Sequence, residues 1–206
     1  MAAKRKKTDM IVIHCSATPA SRNIGAAEIN RWHKDKGWSG CGYHIVIRRD
    51  GFAESHVDGY PARPIKDIGA HAEGFNSHSI GICLVGGVNA GGAPEANFTD
   101  AQYNTLQALI EAFKAVYPSI SKVVGHRDLP GVHKACPSFD VAEWMASLSI
   151  KGAGKKLYTH TVVPSDTLYS IARAHNCTVD ELIHLNPGVV GKYLVVGQII
   201  YVPHGA

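Results

Sequence analysis

Two histidines and a cysteine carry the chemistry that this sequence makes available. His126 and Cys136 stand ten residues apart in the segment Val123–Asp140, VVGHRDLPGVHKACPSFD, with Pro130, Gly131 and Pro137 between or beside them to fold it back on itself. Neutral imidazole and thiolate are the donors a tetrahedral zinc ion prefers, and a catalytic site uses three of them while leaving a position for water. The third donor has to come from elsewhere in the chain. His14 is the candidate, because it ends the apolar run Met10-Ile11-Val12-Ile13. A polar, metal-capable side chain at the end of a buried strand needs something there to satisfy it. The residue types alone leave a second reading open, a structural cysteine with surface histidines near it, since both residues also occur together by chance.

The elements that must position these residues read as strands alternating with helices. After the first strand, Ser16–Asn23 is turn-rich, and Ile29, Trp32 and His33 fall at helical spacing within Ala26–Lys36, with Gly37 at the expected end. Tyr43–Ile47 is β-branched and aromatic, and the Asp50-Gly51 that follows is a hairpin signal. A glycine- and histidine-rich loop, Gly69–Ser79, leads into a buried strand from Ile80 to Val85. Thr99 with Gln102 opens an amphipathic helix through Leu106, Leu109, Ile110, Phe113 and Val116, which Pro118 stops. Lys122–Val124 is a further strand, and Asp140 with Glu143 starts a last helix carrying Val141, Trp144 and Leu148. This order predicts an α/β fold with a mixed central sheet flanked by helices.

Lys151-Gly152-Ala153-Gly154-Lys155-Lys156 has linker composition, and beyond it the pattern restarts. Leu157–Val163 reads as a strand, Ser165-Asp166-Thr167-Leu168 opens a helix, Thr178 and Glu181 open a second, Asn186-Pro187-Gly188 ends it, and Ile199–Val202 closes as a strand. The expected domains are therefore a basic tail over 1–9, a main body over 10–149, a linker over 150–156 and a βααβ module over 157–206.

A length of 206 residues suits this division, and a hydrophobic content of 45% with 18% charged residues is globular, which excludes a disordered chain. No apolar run approaches the roughly 18–20 residues that span a bilayer, so no membrane insertion is expected. No signal peptide is visible. Five cysteines without regular spacing argue against a disulfide framework and for synthesis in a reducing cytoplasm. The net charge of +4 is uneven: residues 1–9 hold four cations against one acid, residues 151–206 five against three, and the body twelve against thirteen. Excess charge in a tail and a module suits attraction to an anionic surface, not a nucleic-acid groove, which needs a continuous basic face.

The segments IVIHCSAT, GYHIVIRRDG, SHSIGICLVGG and KACPSFD, in this order between Met10 and Leu148, resemble a zinc-dependent N-acetylmuramoyl-L-alanine amidase. More narrowly, they are similar to the small phage amidase lysozymes, which share the fold of the peptidoglycan-recognition proteins. HTVVPSDTLYSIARAHNCTVDELIHLNP with VGQIIYVP resembles a LysM module, a family that binds N-acetylglucosamine-containing glycans. It departs from that family at Ser165, where glycine is usual, and at Cys177. The resemblance implies an endolysin acting on peptidoglycan, released to the wall through a holin-type lesion and working as a monomer with one zinc ion per chain.

It also implies roles residue by residue. His14, His126 and Cys136 fall on the metal ligands, Tyr43 and Lys134 on catalytic positions, and His71, in the loop AHAEGFN, on a substrate groove. His44 is expected on the opposite face from Tyr43 and Cys15 facing away from the metal, with Cys41 and Cys83 as small core or loop residues. Arg127 and His133 receive no role. Three other readings follow from the same resemblance. A non-catalytic peptidoglycan receptor usually lacks the cysteine ligand, which Cys136 supplies here. A cytosolic muropeptide-recycling amidase would have little use for a LysM tail. Some small phage amidases also bind and inhibit a phage RNA polymerase, a reading that the basic N-terminus leaves open and that nothing in the sequence argues for positively.

Overall fold

The computed structural model describes residues 3–151, 157–186 and 194–203. The chain divides into two compact units, Met1–Ala146 and Ser147–Ala206.

The first unit is built on five strands, β1 (Met10–Cys15), β2 (Ile45–Ile47), β3 (Ala53–Ser55), β4 (Ser79–Leu84) and β5 (Lys122–Gly125), in the order β3-β2-β4-β1-β5. β2, β4, β1 and β5 run parallel, and β3 pairs antiparallel with β2 at one edge. β1 and β4 are buried along their whole lengths. Parallel strands covered on both faces need apolar residues on both, which is why MIVIHC and SIGICL barely alternate.

Three helices cover the sheet: α1 (Ala26–Asp35), α2 (Asp100–Val116) and α3 (Val141–Lys151). On one face Ile11, Ile13, Ile80, Ile82 and Leu84 pack with Leu106 and Ile110 of α2 and Val141 of α3. On the other, Val46, Cys83 and Val85 meet Ala26 and Ile29 of α1, while Met10 and Val12 meet Ala72 and Leu129. Side chains alternate along a strand, so His14 shares this second face with Val12 and Met10. The register sets Val12 beside Gly81 and His14 beside Cys83.

The expected start and stop signals act as written. Thr99 Oγ1 accepts the Gln102 N–H at 3.1 Å and Gln102 Oε1 accepts the Thr99 N–H at 3.1 Å, so two donors at the α2 N-terminus that the helix itself leaves unpaired are satisfied. Gly37, just past α1, takes φ +81°, and Gly51 takes φ +83° in the β2–β3 turn. Asp140 Oδ1 accepts the Glu143 N–H at 2.8 Å to open α3. That helix runs to Lys151, through the expected body boundary at 149, and residues 152–156 of the expected linker lie outside the described residues.

The segment read as a basic tail is tied into the body instead. Arg5 N–H reaches Lys66 O and Ile68 N–H reaches Ala3 O, both at 2.7 Å. The Arg5 guanidinium donates to the carbonyls of Ile65 at 2.7 Å and of Asp67 and Ser79 at 3.2 Å. Lys4 pairs with Asp67, and Lys7 with Asp9 at 2.7 Å. A planar guanidinium has five donors, enough to satisfy several chain crossings at once, and this outweighs the solvation a free tail would keep.

The second unit is a βααβ module: β6 (Leu157–Thr161), α4 (Leu168–Ala174), α5 (Val179–Leu185) and β7 (Ile199–Pro203), with β6 antiparallel to β7. Its own core comprises Val162, Ile171, Ala172, Leu182, Ile200 and Val202. Thr167 and Thr178 cap the two helices, and Asn186 ties α5 to β7 through Leu182 O and the Tyr201 backbone. Pro187 and Gly188, expected to end α5, lie outside the described residues. Ser165 has φ +77°, a left-handed conformation in which a Cβ is strained. Ser165→Gly is therefore expected to stabilise this unit by about 1 kcal/mol, read as a higher denaturation midpoint for its transition. An unchanged or lower midpoint would show that the serine hydroxyl compensates. Among the described residues, no helix is long and apolar enough to cross a membrane.

Candidate metal centre

β1 and β5 are parallel neighbours, with Ile13 paired to Gly125. The next residue of each is a histidine, so His14 and His126 emerge side by side at the carboxyl ends of adjacent strands, where open α/β sheets place their ligands. Their ring centroids are 4.6 Å apart. His126 begins a single 3-10 turn, His126–Asp128, and the chain then loops out and returns. Arg127 N–H donates to Cys136 O at 2.7 Å and closes the loop. Asp128 Oδ2 accepts the Gly125 N–H at 2.9 Å, and Arg127 Nη2 reaches Asp140 Oδ2 at 2.9 Å. Arg127 and Asp128, given no role from the sequence, thus clamp the loop that delivers Cys136. Their signal was the cluster of charges flanking the histidine.

His14, His126 and Cys136 each offer a ligand atom, and these atoms lie within 4.8 Å of one another. His14 Nδ1 is 3.8 Å from Cys136 Sγ. A tetrahedral ion with bonds of about 2.05 Å to nitrogen and about 2.3 Å to sulfur holds those two atoms about 3.6 Å apart. The donor set fits zinc in chemistry, and the His14–Cys136 separation is close to the one zinc requires.

Burial pushes the His14 imidazole well below its ordinary value, helped by His71, His126 and Lys134. Burial and the Lys134 charge also lower His126. Both rings are thus held neutral, with lone pairs free to donate. The Cys136 thiol is pushed up by its hydrogen bond with Cys15 and by burial, while Cys15 is drawn down to about 7 by the same bond. A cation held by the two imidazoles would favour the thiolate form of Cys136, whose Sγ already accepts the Cys15 N–H at 3.3 Å. Cys15, expected to face away, is therefore part of the surroundings of the centre because the backbone of β1 ends against the returning loop. Cys41 and Cys83 are buried core residues.

The Tyr43 ring centroid lies 5.1 Å from that of His14. Burial, then the surrounding cysteines, raise its phenol well above the ordinary value, so it is a neutral hydrogen-bond donor. Lys134 is exposed, yet its charge acts on both His14 and His126. His71 is buried, at 8% exposure, and its Nδ1 lies 3.1 Å from His14 Nε2. His44 is also buried, with Nδ1 accepting the Gly81 N–H at 2.9 Å and Nε2 against Asp67 O at 3.1 Å. His133 is exposed.

Paired parallel strands deliver two imidazoles and a returning loop delivers a thiol, and together they form a His/His/Cys cluster that could hold a metal ion. The N-acetylmuramoyl-L-alanine amidase family model matches residues 4–139, and the LysM domain model matches residues 160–203. The endolysin of Klebsiella phage KP32 is 45% identical over 141 residues, which cover 68% of this chain and 87% of that protein. The endolysin of Escherichia phage T7 is 44% identical over 141 residues, with the same coverage of 68% and 87%. Among solved structures, the N-acetylmuramoyl-L-alanine amidase LysC from Clostridium intestinale is similar, with a TM-score of 0.57 and 32% identity over 69% of this chain and 86% of that one. The chain belongs to the N-acetylmuramoyl-L-alanine amidase family and carries a LysM domain. It is a peptidoglycan hydrolase of the endolysin type.

Proposed function

We propose that this amidase is zinc-dependent, that one ion is held by His14, His126 and Cys136, and that Lys134 and Tyr43 serve the reaction. The bond cleaved is the amide between the lactyl group of N-acetylmuramic acid and L-alanine. The observation that carries the reading is the convergence of three zinc-type donors within 4.8 Å in a chain of this family. When bound, zinc supplies Lewis acidity, which lowers the pKa of a water to about 7 and polarises a carbonyl. The protein's residues supply the rest. Lys134, whose charge acts on both imidazoles, offsets negative charge developing on the amide oxygen. The neutral Tyr43 hydroxyl donates a hydrogen bond to the reacting groups or passes on a proton.

The LysM unit is proposed as a wall anchor that raises the local concentration of the amidase without reshaping its centre. Each unit has its own core, so the two can be tested apart. Residues 1–151 alone are expected to cleave soluble muramoyl-peptides as fast as the full chain. On intact sacculi they should be slower, most of all at low enzyme concentration. Residues 152–206 should co-sediment with glycan strands stripped of peptide. Equal rates on sacculi at every concentration, with no sedimentation of the isolated unit, would sink the anchor. Loss of hydrolysis on zinc removal, restored by zinc, tests the metal, and full activity of metal-free protein would remove it. Action at the wall after release from the cytoplasm, as a monomer, completes the reading.

A further inference from the structure

His14 has two ring nitrogens with different neighbours, and on the amidase reading of the centre only one of them can serve the metal. Nδ1 faces Cys136 Sγ, at 3.8 Å, while Nε2 meets His71 Nδ1 at 3.1 Å. A neutral imidazole that gives its Nδ1 lone pair to a metal carries its proton on Nε2, and the hydrogen bond made from there fixes tautomer and ring rotation together. The geometry points to His71 as the positioning residue for His14: its Nδ1 accepts the His14 Nε2–H and holds the ring with Nδ1 turned towards Cys136.

The surroundings of His71 are shaped to hold that ring in place. A Cβ on Gly81 would lie 2.5 Å from His71 Cδ2 and Cγ, and one on Gly69 would lie 2.4 Å from Cδ2. Neither position admits even a methyl group while the ring is there. Gly81 lies in β4 beside Val12, on the sheet face that His14 shares, so the missing side chain opens a slot for the ring next to the ligand. Asn76 Oδ1 pins the backbone by accepting the N–H groups of His71 and Ala72, at 2.8 and 2.9 Å.

The same burial argues against a substrate contact. His71 Nδ1 is occupied by His14, and Nε2 is buried without a hydrogen-bond partner among the described residues. A histidine that touches a glycan or peptide must keep a nitrogen within reach of it, and neither is. His44, the nearest alternative partner at 5.5 Å between centroids, has both nitrogens engaged by Gly81 and Asp67.

The test measures zinc affinity of the full chain by chelator competition, with no substrate present. His71→Ala is expected to weaken zinc binding by about 10–100-fold. His71→Asn, whose Oδ1 can take the place of Nδ1, should recover most of that loss. The KM for a soluble muramoyl-peptide at saturating zinc should stay unchanged in both. Should the alanine variant fail to fold, nitrogen-15 spectra of the zinc-loaded wild type decide the matter, with His14 and His71 both protonated at Nε2. Unchanged zinc affinity in His71→Ala, a raised KM at saturating zinc, or a proton on His14 Nδ1 would each overturn the proposal. A wild type that binds zinc but leaves the muramoyl-alanine amide intact would sink the amidase reading alone.

Discussion

Cys136→Ser is expected to strip the protein of zinc and of hydrolytic activity together while the first unit keeps its fold. Cys136 supplies the only anionic donor of the three, so its loss leaves two neutral imidazoles, too few to retain an ion against solvent. A neutral serine hydroxyl is a poor substitute for thiolate. The fold should persist because most of the main core, from Ile11 to Val141, is built from strand and helix residues, with only Phe139 contributed by the returning segment. Metal analysis and circular dichroism of the purified variant check both halves. Full zinc occupancy in Cys136→Ser would remove this residue from the ligand set.

The second large effect is expected where metal and turnover part company. Lys134→Ala should lower turnover on soluble muramoyl-peptide by on the order of a hundredfold while zinc stays bound. The sign of its effect on the metal is itself informative. The Lys134 charge depresses the protonation of His14 and His126, and by the same repulsion it opposes a divalent cation. Removing it should leave zinc affinity equal or slightly higher, never lower. Tyr43→Phe should resemble it in turnover, because the ring still packs against the Cys41–Val46–Cys83 cluster and only the hydroxyl is lost. Near wild-type rates in both variants would take Lys134 and Tyr43 out of the reaction. A fall in zinc content with Lys134→Ala would place the lysine in the structure of the site instead.

Much of this protein could be read in its sequence because the relevant forces are local. Apolar runs such as MIVIHC mark buried parallel strands, since their backbone can be covered on both faces only by apolar side chains. Thr99 with Gln102, Asp140 with Glu143 and Gly37 mark helix ends, because each satisfies or relieves the backbone within a few residues. Donor chemistry is equally local: His14, His126 and Cys136 are metal-type residues wherever the chain puts them.

The tertiary structure decided what depends on register and on the approach of distant segments. The pairing of Ile13 with Gly125 sets two histidines side by side, and no spacing between residues 14 and 126 could announce it. The N-terminal cations read as a basic tail because charge is visible in sequence, whereas the carbonyls of Ile65, Asp67 and Ser79 that take up Arg5 are assembled only by folding. His71 read as a groove residue from the resemblance of its loop AHAEGFN to a family segment, which carries no information about burial. The slot left by Gly81 on the sheet face draws it inward against His14. The glycine inside SIGICL and Gly69 were the sequence traces of that slot, and their meaning needed the neighbouring strand, because a missing side chain makes room only for whatever the fold brings next to it.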